Sequence, residues 1–175
     1  MSLLTLMLLH TASAAELIVD PSDADAYSTV QSAIDAASSG DVIFLVEGTY
    51  NENILVSSKS INIQGMNAEA RDATRIIGSG SGTVASIVGG LVNISDLTIS
   101  GGDQGVAITA NAVSELSNLV VEDNVGMEMG GGVYIASNAD VVMNDVLVRN
   151  NDALQGGGVH LAADAKRLVM TGVTV

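Results

Sequence analysis

Residues Val121 to Ile135, VEDNVGMEMGGGVYI, and Val148 to Leu161, VRNNDALQGGGVHL, are one pattern written twice. Each runs an apolar residue, two polar residues and an Asn, then a variable link, then Gly-Gly-Gly-Val and an alternating tail. The two asparagines are 151 − 124 = 27 residues apart. A fixed period of this length marks a supersecondary unit stacked on its copies.

Working outward, the pattern continues on both sides. Val92, Ile94, Leu97 and Ile99 form two alternating pairs split by a Ser95-Asp96 step. A shift of 22 reaches Ser114, Leu116, Leu119 and Val121. Shifts of 27 then reach Val141, Met143, Val146 and Val148, and Leu168, Met170, Val173 and Val175. All but Ser114 are aliphatic or Met. A third strand per unit follows the glycines, at Val106/Ile108, Val133/Ile135 and Val159/Leu161. Three short strands per unit, each in register with its equivalent about 4.8 Å away, predict an all-β chain wound as a parallel β-helix. Leucine-rich repeats lack their consensus here, and helical repeats lack their 3.6 period. An antiparallel sandwich is the structural alternative.

Toward the N-terminus the pattern changes. YSTVQSAIDAASSGD predicts one helix over 28–39: Ser28 and Gln31 form a capping box, Val30, Ala33, Ile34 and Ala37 share a face, and Gly40 stops it. Asp41 to Val46 reads as a buried strand, Glu47 to Tyr50 as a turn, and Ile54/Val56 and Ile61/Ile63 as two more short strands. Ahead of the helix, the apolar run Leu3 to Leu9 and the Ala12-Ser13-Ala14 site predict a signal peptide over 1–14. The expected organisation is therefore signal 1–14, loop and capping helix 15–41, and coils 42–175. The sequence stops in the second strand of a coil, so the β-helix is expected to be C-terminally truncated. No other apolar run approaches the ~20 residues of a membrane-spanning helix.

Apolar residues make up 47% of the chain and aromatics 2%, with one Phe and no Trp, so the core must be built from small aliphatics and Met. Nineteen glycines against one proline fit many tight turns. Six Lys and Arg against 20 Asp and Glu give a net charge of −14, which excludes nucleic acid and anionic membrane as partners, since both require a cationic face. The same charge repels an anionic polysaccharide unless cations intervene. With no Cys, neither a disulfide nor a Cys-ligated zinc site is possible.

The block Thr29 to Gly65, TVQSAIDAASSGDVIFLVEGTYNENILVSSKSINIQG, resembles the cap and first coils of the right-handed β-helix, pectin-lyase-like superfamily. The V-x-x-N and GGGV repeats resemble those of polymorphic outer-membrane proteins and autotransporter passengers, with Val121 and Val148 standing where Phe is usual. The first resemblance implies a right-handed parallel β-helix and, in its enzymes, polysaccharide cleavage or de-esterification. The second implies an exported surface protein.

Several residues are candidates for a role. Asn124 and Asn151 should stack as a structural ladder at one bend. Asp96, Asn118 and Asp145 align as a structural ladder at a second bend, read as turn chemistry; Ca²⁺ held by Asp96 and Asp145 is the alternative, and no other metal or cofactor is expected. The Gly triplets 130–132 and 156–158 supply a bend rather than a phosphate-binding loop. Tyr134 and His160 share one outward position, with Ala107 in the coil before; they are the candidate ligand contacts, since outward rings can stack on sugar faces, but isolated outward Tyr and His on a sheet are read first as ordinary surface residues. Arg149 invites comparison with the catalytic bases of β-helix lyases, but it falls 149 − 122 = 27 residues after Glu122, which predicts an ion pair between coils. Glu47 to Glu52 resembles the G-x-Y-x-E segment of pectin methylesterases, whose later catalytic blocks do not appear. No catalytic residue is assigned. The sequence reading leans away from an enzyme. It favours a secreted or cell-surface stalk, bacterial outer-membrane or extracellular, for adhesion or contact with polysaccharide or host glycan. A polysaccharide lyase, hydrolase or esterase is the alternative.

Overall fold

The computed structural model describes residues 13–126 and 129–175. The expected signal segment lies outside the described residues but for its last two. In chain order come β1 Glu16–Val19, the helix α1 Val30–Ala36, β2 Val42–Leu45, β3 Gly48–Asn51, β4 Ile54–Ser57 and β5 Ile61–Gly65. A 3-10 turn at Arg71–Ala73 precedes β6 Thr74–Ile77 and β7 Thr83–Val88. Then follow β8 Leu91–Ser100, β9 Gln104–Thr109, β10 Val113–Glu122, β11 Val133–Ile135, β12 Asp140–Asn144, β13 Leu147–Arg149, β14 Val159–Leu161 and β15 Arg167–Thr171.

Every strand pairing is parallel, and each strand meets its equivalent in the next coil. Three rows result. The first is β1-β2-β5-β8-β10-β12-β15; the second is β3-β6, continued by the second halves of β8 and β10 and then by β13; the third is β4-β7-β9-β11-β14. Winding three parallel rows with short crossovers gives a right-handed parallel β-helix, the hand that parallel crossovers take. The steps read from the repeat are those observed: Ser114 lies over Val92, Val141 over Ser114, and Tyr134 between Ala107 and His160.

One column shows what holds the coils. Ile43, Ile63, Ile94, Leu116, Met143 and Met170 stack inward in register. The first five are fully buried, whereas Met170 is 43% exposed. A side chain that passes from exposed to buried in such a column contributes about 1.5–3 kcal/mol. Ser114 is the misfit in the aliphatic set: it is buried, and its hydroxyl has no hydrogen-bond partner.

The first coils depart from the sequence reading in three places. The helix is shorter than 28–39 and its cap is Thr29, not Ser28: Thr29 Oγ1 accepts from the Ser32 N–H at 3.1 Å. The carboxylate of Glu52 accepts from the Val30 and Gln31 N–H groups at 2.8 and 2.9 Å, so a residue two strands away satisfies the donors left at the helix start. Gln31 instead caps a sheet edge, since its amide exchanges two bonds with the Leu55 backbone of β4. At the other end the chain turns extended at Ala37, three residues before Gly40, and Lys59 Nζ donates to the carbonyls of Ile34, Asp35 and Ala37. Secondly, Glu47 to Tyr50 is not simply a turn, because Gly48–Asn51 is a strand paired with β6. Tyr50 folds inward there and its hydroxyl bonds the Val46 and Val19 carbonyls; burial, with the charges of Asp20 and Glu52, pushes its pKa up to about 12. Thirdly, the 66–88 stretch completes a coil that the repeat did not foretell. Ile61 pairs with Val92, a step of 92 − 61 = 31, because residues 66–73 leave the coil and lie as a strap along its outer face.

Candidate functional site

The outer face of the second row gathers three of the chain's six cations, Arg71, Arg75 and Arg149. β6 presents Arg75, β10 presents Glu122 one coil beyond Ser100, and β13 presents Arg149 directly over Glu122. The Glu122 side chain is only 7% exposed, although it points away from the core. Arg75 Nη2 holds Oε1 at 2.8 Å, and Arg149 holds Oε2 through Nε at 2.8 Å and Nη2 at 2.7 Å. Burial alone pushes the carboxyl up, but the bonds and charges of the two guanidinium groups outweigh it, and the pKa of Glu122 is lowered. Glu122 in turn raises that of Arg149.

The strap supplies the wall of this face. Thr98 Oγ1 donates to Asp72 Oδ1 at 3.0 Å, and Asn118 Nδ2 donates to the Ala68 carbonyl at 2.7 Å. Arg71 Nη1 reaches the Asn118 Oδ1 at 3.3 Å and the Asp145 carbonyl at 2.9 Å. Three of the four arginines therefore border one surface. A hollow lined by Arg71, Asp145, Leu147, Gly172 and Thr174 lies beside it. Arg149, half exposed, keeps its Nη1 donors unused by Glu122, so the face can offer charged donors to an anion. The ion pair foreseen between Glu122 and Arg149 is present. Arg75 and Arg71 were not foreseen, because their own coil breaks the period and their reach across coils has no spacing signature.

The Asp96, Asn118, Asp145 column is a corner. All three have left-handed φ, at 61°, 48° and 54°. At this corner β8 and β10 bend from the first row into the second, and in the next coil the same corner separates β12 from β13. Both oxygens of the Asp96 carboxylate are bonded: Asn118 Nδ2 donates to Oδ1 at 2.8 Å, while Oδ2 accepts from Gln64 and Ser95. Among the described residues no group of three or more His, Asp or Glu is placed to hold a metal ion. Asn124 and Asn151 stack as expected: Asn151 Oδ1 accepts from the Asn124 side chain at 2.8 Å and backbone at 3.1 Å, and Asn151 Nδ2 donates to the Val121 carbonyl.

On the third row the first glycine of each triplet has left-handed φ, 67° at Gly130 and 61° at Gly156. A Cβ on Gly130 would stand 2.8 Å from Tyr134 Cβ, and one on Gly156 would stand 3.0 Å from His160 Cβ. Turn and ring are thus one device, repeated. The Tyr134 and His160 rings stack on each other, with centroids 5.6 Å apart and planes 22° apart.

No family model matches the chain, and no curated protein matches it in sequence. Solved structures do resemble it. An alginate lyase from Paenibacillus sp. str. FPU-7 superposes with a TM-score of 0.73 at 20% identity, over 91% of this chain and 57% of the lyase. A pectin methylesterase from Aspergillus niger gives 0.56 at 10% identity, over 95% of this chain and 77% of the esterase. A pectin methylesterase solved with a hexasaccharide gives 0.54 at 16% identity, over 81% and 55%. The likeness carries the fold, a right-handed parallel β-helix, and the chain spans just over half the length of the alginate lyase.

Proposed function

We propose that the chain forms part of a polysaccharide-acting β-helix that holds an acidic glycan along the outer face of the second row. The observation that carries this reading is that Arg71, Arg75 and Arg149 border one face, two of them bound to Glu122 and Arg71 to Asn118 and the Asp145 carbonyl, on a chain whose net charge is −14. Such a chain repels a polyanion overall. A face where three arginines gather offsets that repulsion locally, and Glu122 fixes two of them in place before any ligand arrives. Two kinds of protein with this fold, an alginate lyase and pectin methylesterases, are named for acidic polysaccharides, which supports lyase or esterase chemistry as the reaction class. Action on such polymers also favours an extracellular or cell-surface location. Among the described residues no helix is long and apolar enough to cross a membrane.

In this reading Arg149 binds rather than abstracts a proton, because its partnership with Glu122 strengthens its hold on its own proton. The test is binding and turnover of alginate, polygalacturonate and methylated pectin, at low and high salt. Salt-sensitive binding that Arg149→Ala weakens is expected. Binding to none of the three defeats the proposal.

An exported stalk that contacts glycans without cleaving them is the second reading. It is favoured by Glu122 being held ionised between two guanidinium groups, where it is a poor proton donor. Release of unsaturated or methanol products in the same assay decides against it.

A further inference from the structure

The third row carries a surface distinct from the arginine face. Leu55, Ser86, Ala107, Tyr134 and His160 lie in one register line across β4, β7, β9, β11 and β14. The two rings spend one face each on the other, so a flat two-ring platform is not what they form. What stays available is the far face of each ring and their outward edges, both rings being half exposed. Below Tyr134 the line drops to two short side chains, Ala107 and Ser86, before Leu55 rises again, 48% exposed. From Tyr134 to Leu55 is three rungs, about 14 Å at the spacing of parallel strands. The result is a step with an aromatic wall, a low floor in which Ala107 is buried and Ser86 partly exposed, and an aliphatic far side.

The charge around this step selects its occupant. Of the chain's six cations, Lys59 caps the helix, Arg71, Arg75 and Arg149 border the second row, and Lys166 and Arg167 pair with Asp140. None belongs to the ring line. The nearby turn is acidic, with Asp164 accepting from Ser137 Oγ. An anionic sugar would find no counter-charge here, whereas a neutral pyranose presents a C–H face for a ring and hydroxyls for Ser86 and His160. The Gly130 and Gly156 turns, which leave room beside Tyr134 Cβ and His160 Cβ, keep the rings seated at the same place in successive coils.

We propose that Tyr134 and His160, with Ala107, Ser86 and Leu55, form an accessory binding site for neutral sugar units. It is separate from the acidic-glycan face and does not depend on it. The test titrates the full chain by calorimetry with cellohexaose, xylohexaose, mannohexaose and maltohexaose, and follows tyrosine emission in parallel. Binding of at least one, unweakened at about 1 M salt where exposed charges are screened, is expected. Tyr134→Ala and His160→Ala should each weaken it by roughly threefold to tenfold. Tyr134→Phe should keep the affinity and lose the emission change, since Tyr27 packs on the N-terminal core and Tyr50 is buried in β3. If Tyr134→Ala does not fold, Tyr134→Leu, which keeps bulk without a ring, is expected to show the same loss. Silence toward all four sugars, or binding indifferent to loss of the Tyr134 ring, overturns the site. Neither result bears on the acidic polymers, whose binding is scored separately.

Discussion

Arg149 stands one coil above Glu122 and closes on its carboxylate with two nitrogens, while Arg75 closes on the other oxygen from below. The folded pKa of Glu122 is lowered, so its contribution to stability is fully present above the unfolded carboxylate range and is lost as pH falls through the folded value. The wild type should therefore lose stability on acidification below about pH 4. Glu122→Gln should flatten that part of the pH profile in denaturant titrations. At neutral pH Glu122→Ala should cost about 1–3 kcal/mol by removing charged hydrogen bonds; an unchanged midpoint would show the pair to be ornamental.

Asn124 is fully buried, and its side chain serves three partners: the Gly102 N–H, the Glu122 carbonyl and Asn151 Oδ1. Asn124→Ala is expected to cost about 1–3 kcal/mol through the groups left unpaired. Asn151→Ala, nearer the surface, should cost less. Urea midpoints of the two variants give the order.

At Gly132 a Cβ would meet the Gly158 carbonyl oxygen, Val148 Cγ1 at 2.6 Å and Asn151 Nδ2 at 2.9 Å. Two of these belong to the Asn corner and the neighbouring turn, which cannot yield. Gly132→Ala should destabilise by about 1–3 kcal/mol, and a neutral result in thermal melts would mean the coils breathe more than their stacking allows.

Lys59 holds three carbonyls at the end of α1. Lys59→Met keeps the stem and removes the charge, for a local cost of about 1 kcal/mol. Amide exchange across 30–37 should speed up by roughly fivefold, while that of β10 stays as it was.

Both oxygens of Asp96 are occupied by Asn118, Gln64 and Ser95. Added calcium, or a chelator, should leave the melting temperature where it stands. A calcium-dependent rise that Asp96→Asn removes would restore the metal reading of this corner.

The repeat between 92 and 175 was legible because side chains in a β-helix answer to one neighbour above and one below, so periodic sequence maps directly onto register. Within that repeat Ser114 alone broke the pattern, and its buried hydroxyl is left without a partner. The first coils were less legible for the same reason reversed. A 31-residue step hides the period, and the strap that causes it acts through contacts at separations of 26 to 74 residues. The helix cap was misplaced by one residue because the groups satisfying its N-terminus include Glu52, which no local motif names. At the site, Glu122 with Arg149 followed from counting, whereas Arg75 needed the fold to bring it there.

The strap has a mechanical consequence. Nearly every bond in this solenoid joins neighbouring coils, so a pull on its two ends would peel it one coil at a time, each at low force. Arg71 breaks that rule by fastening the third coil to the sixth through Asn118 and the Asp145 carbonyl. Under load those coils share the strain as a single block, like pages held by one staple, and the chain resists stretching along the face its arginines border.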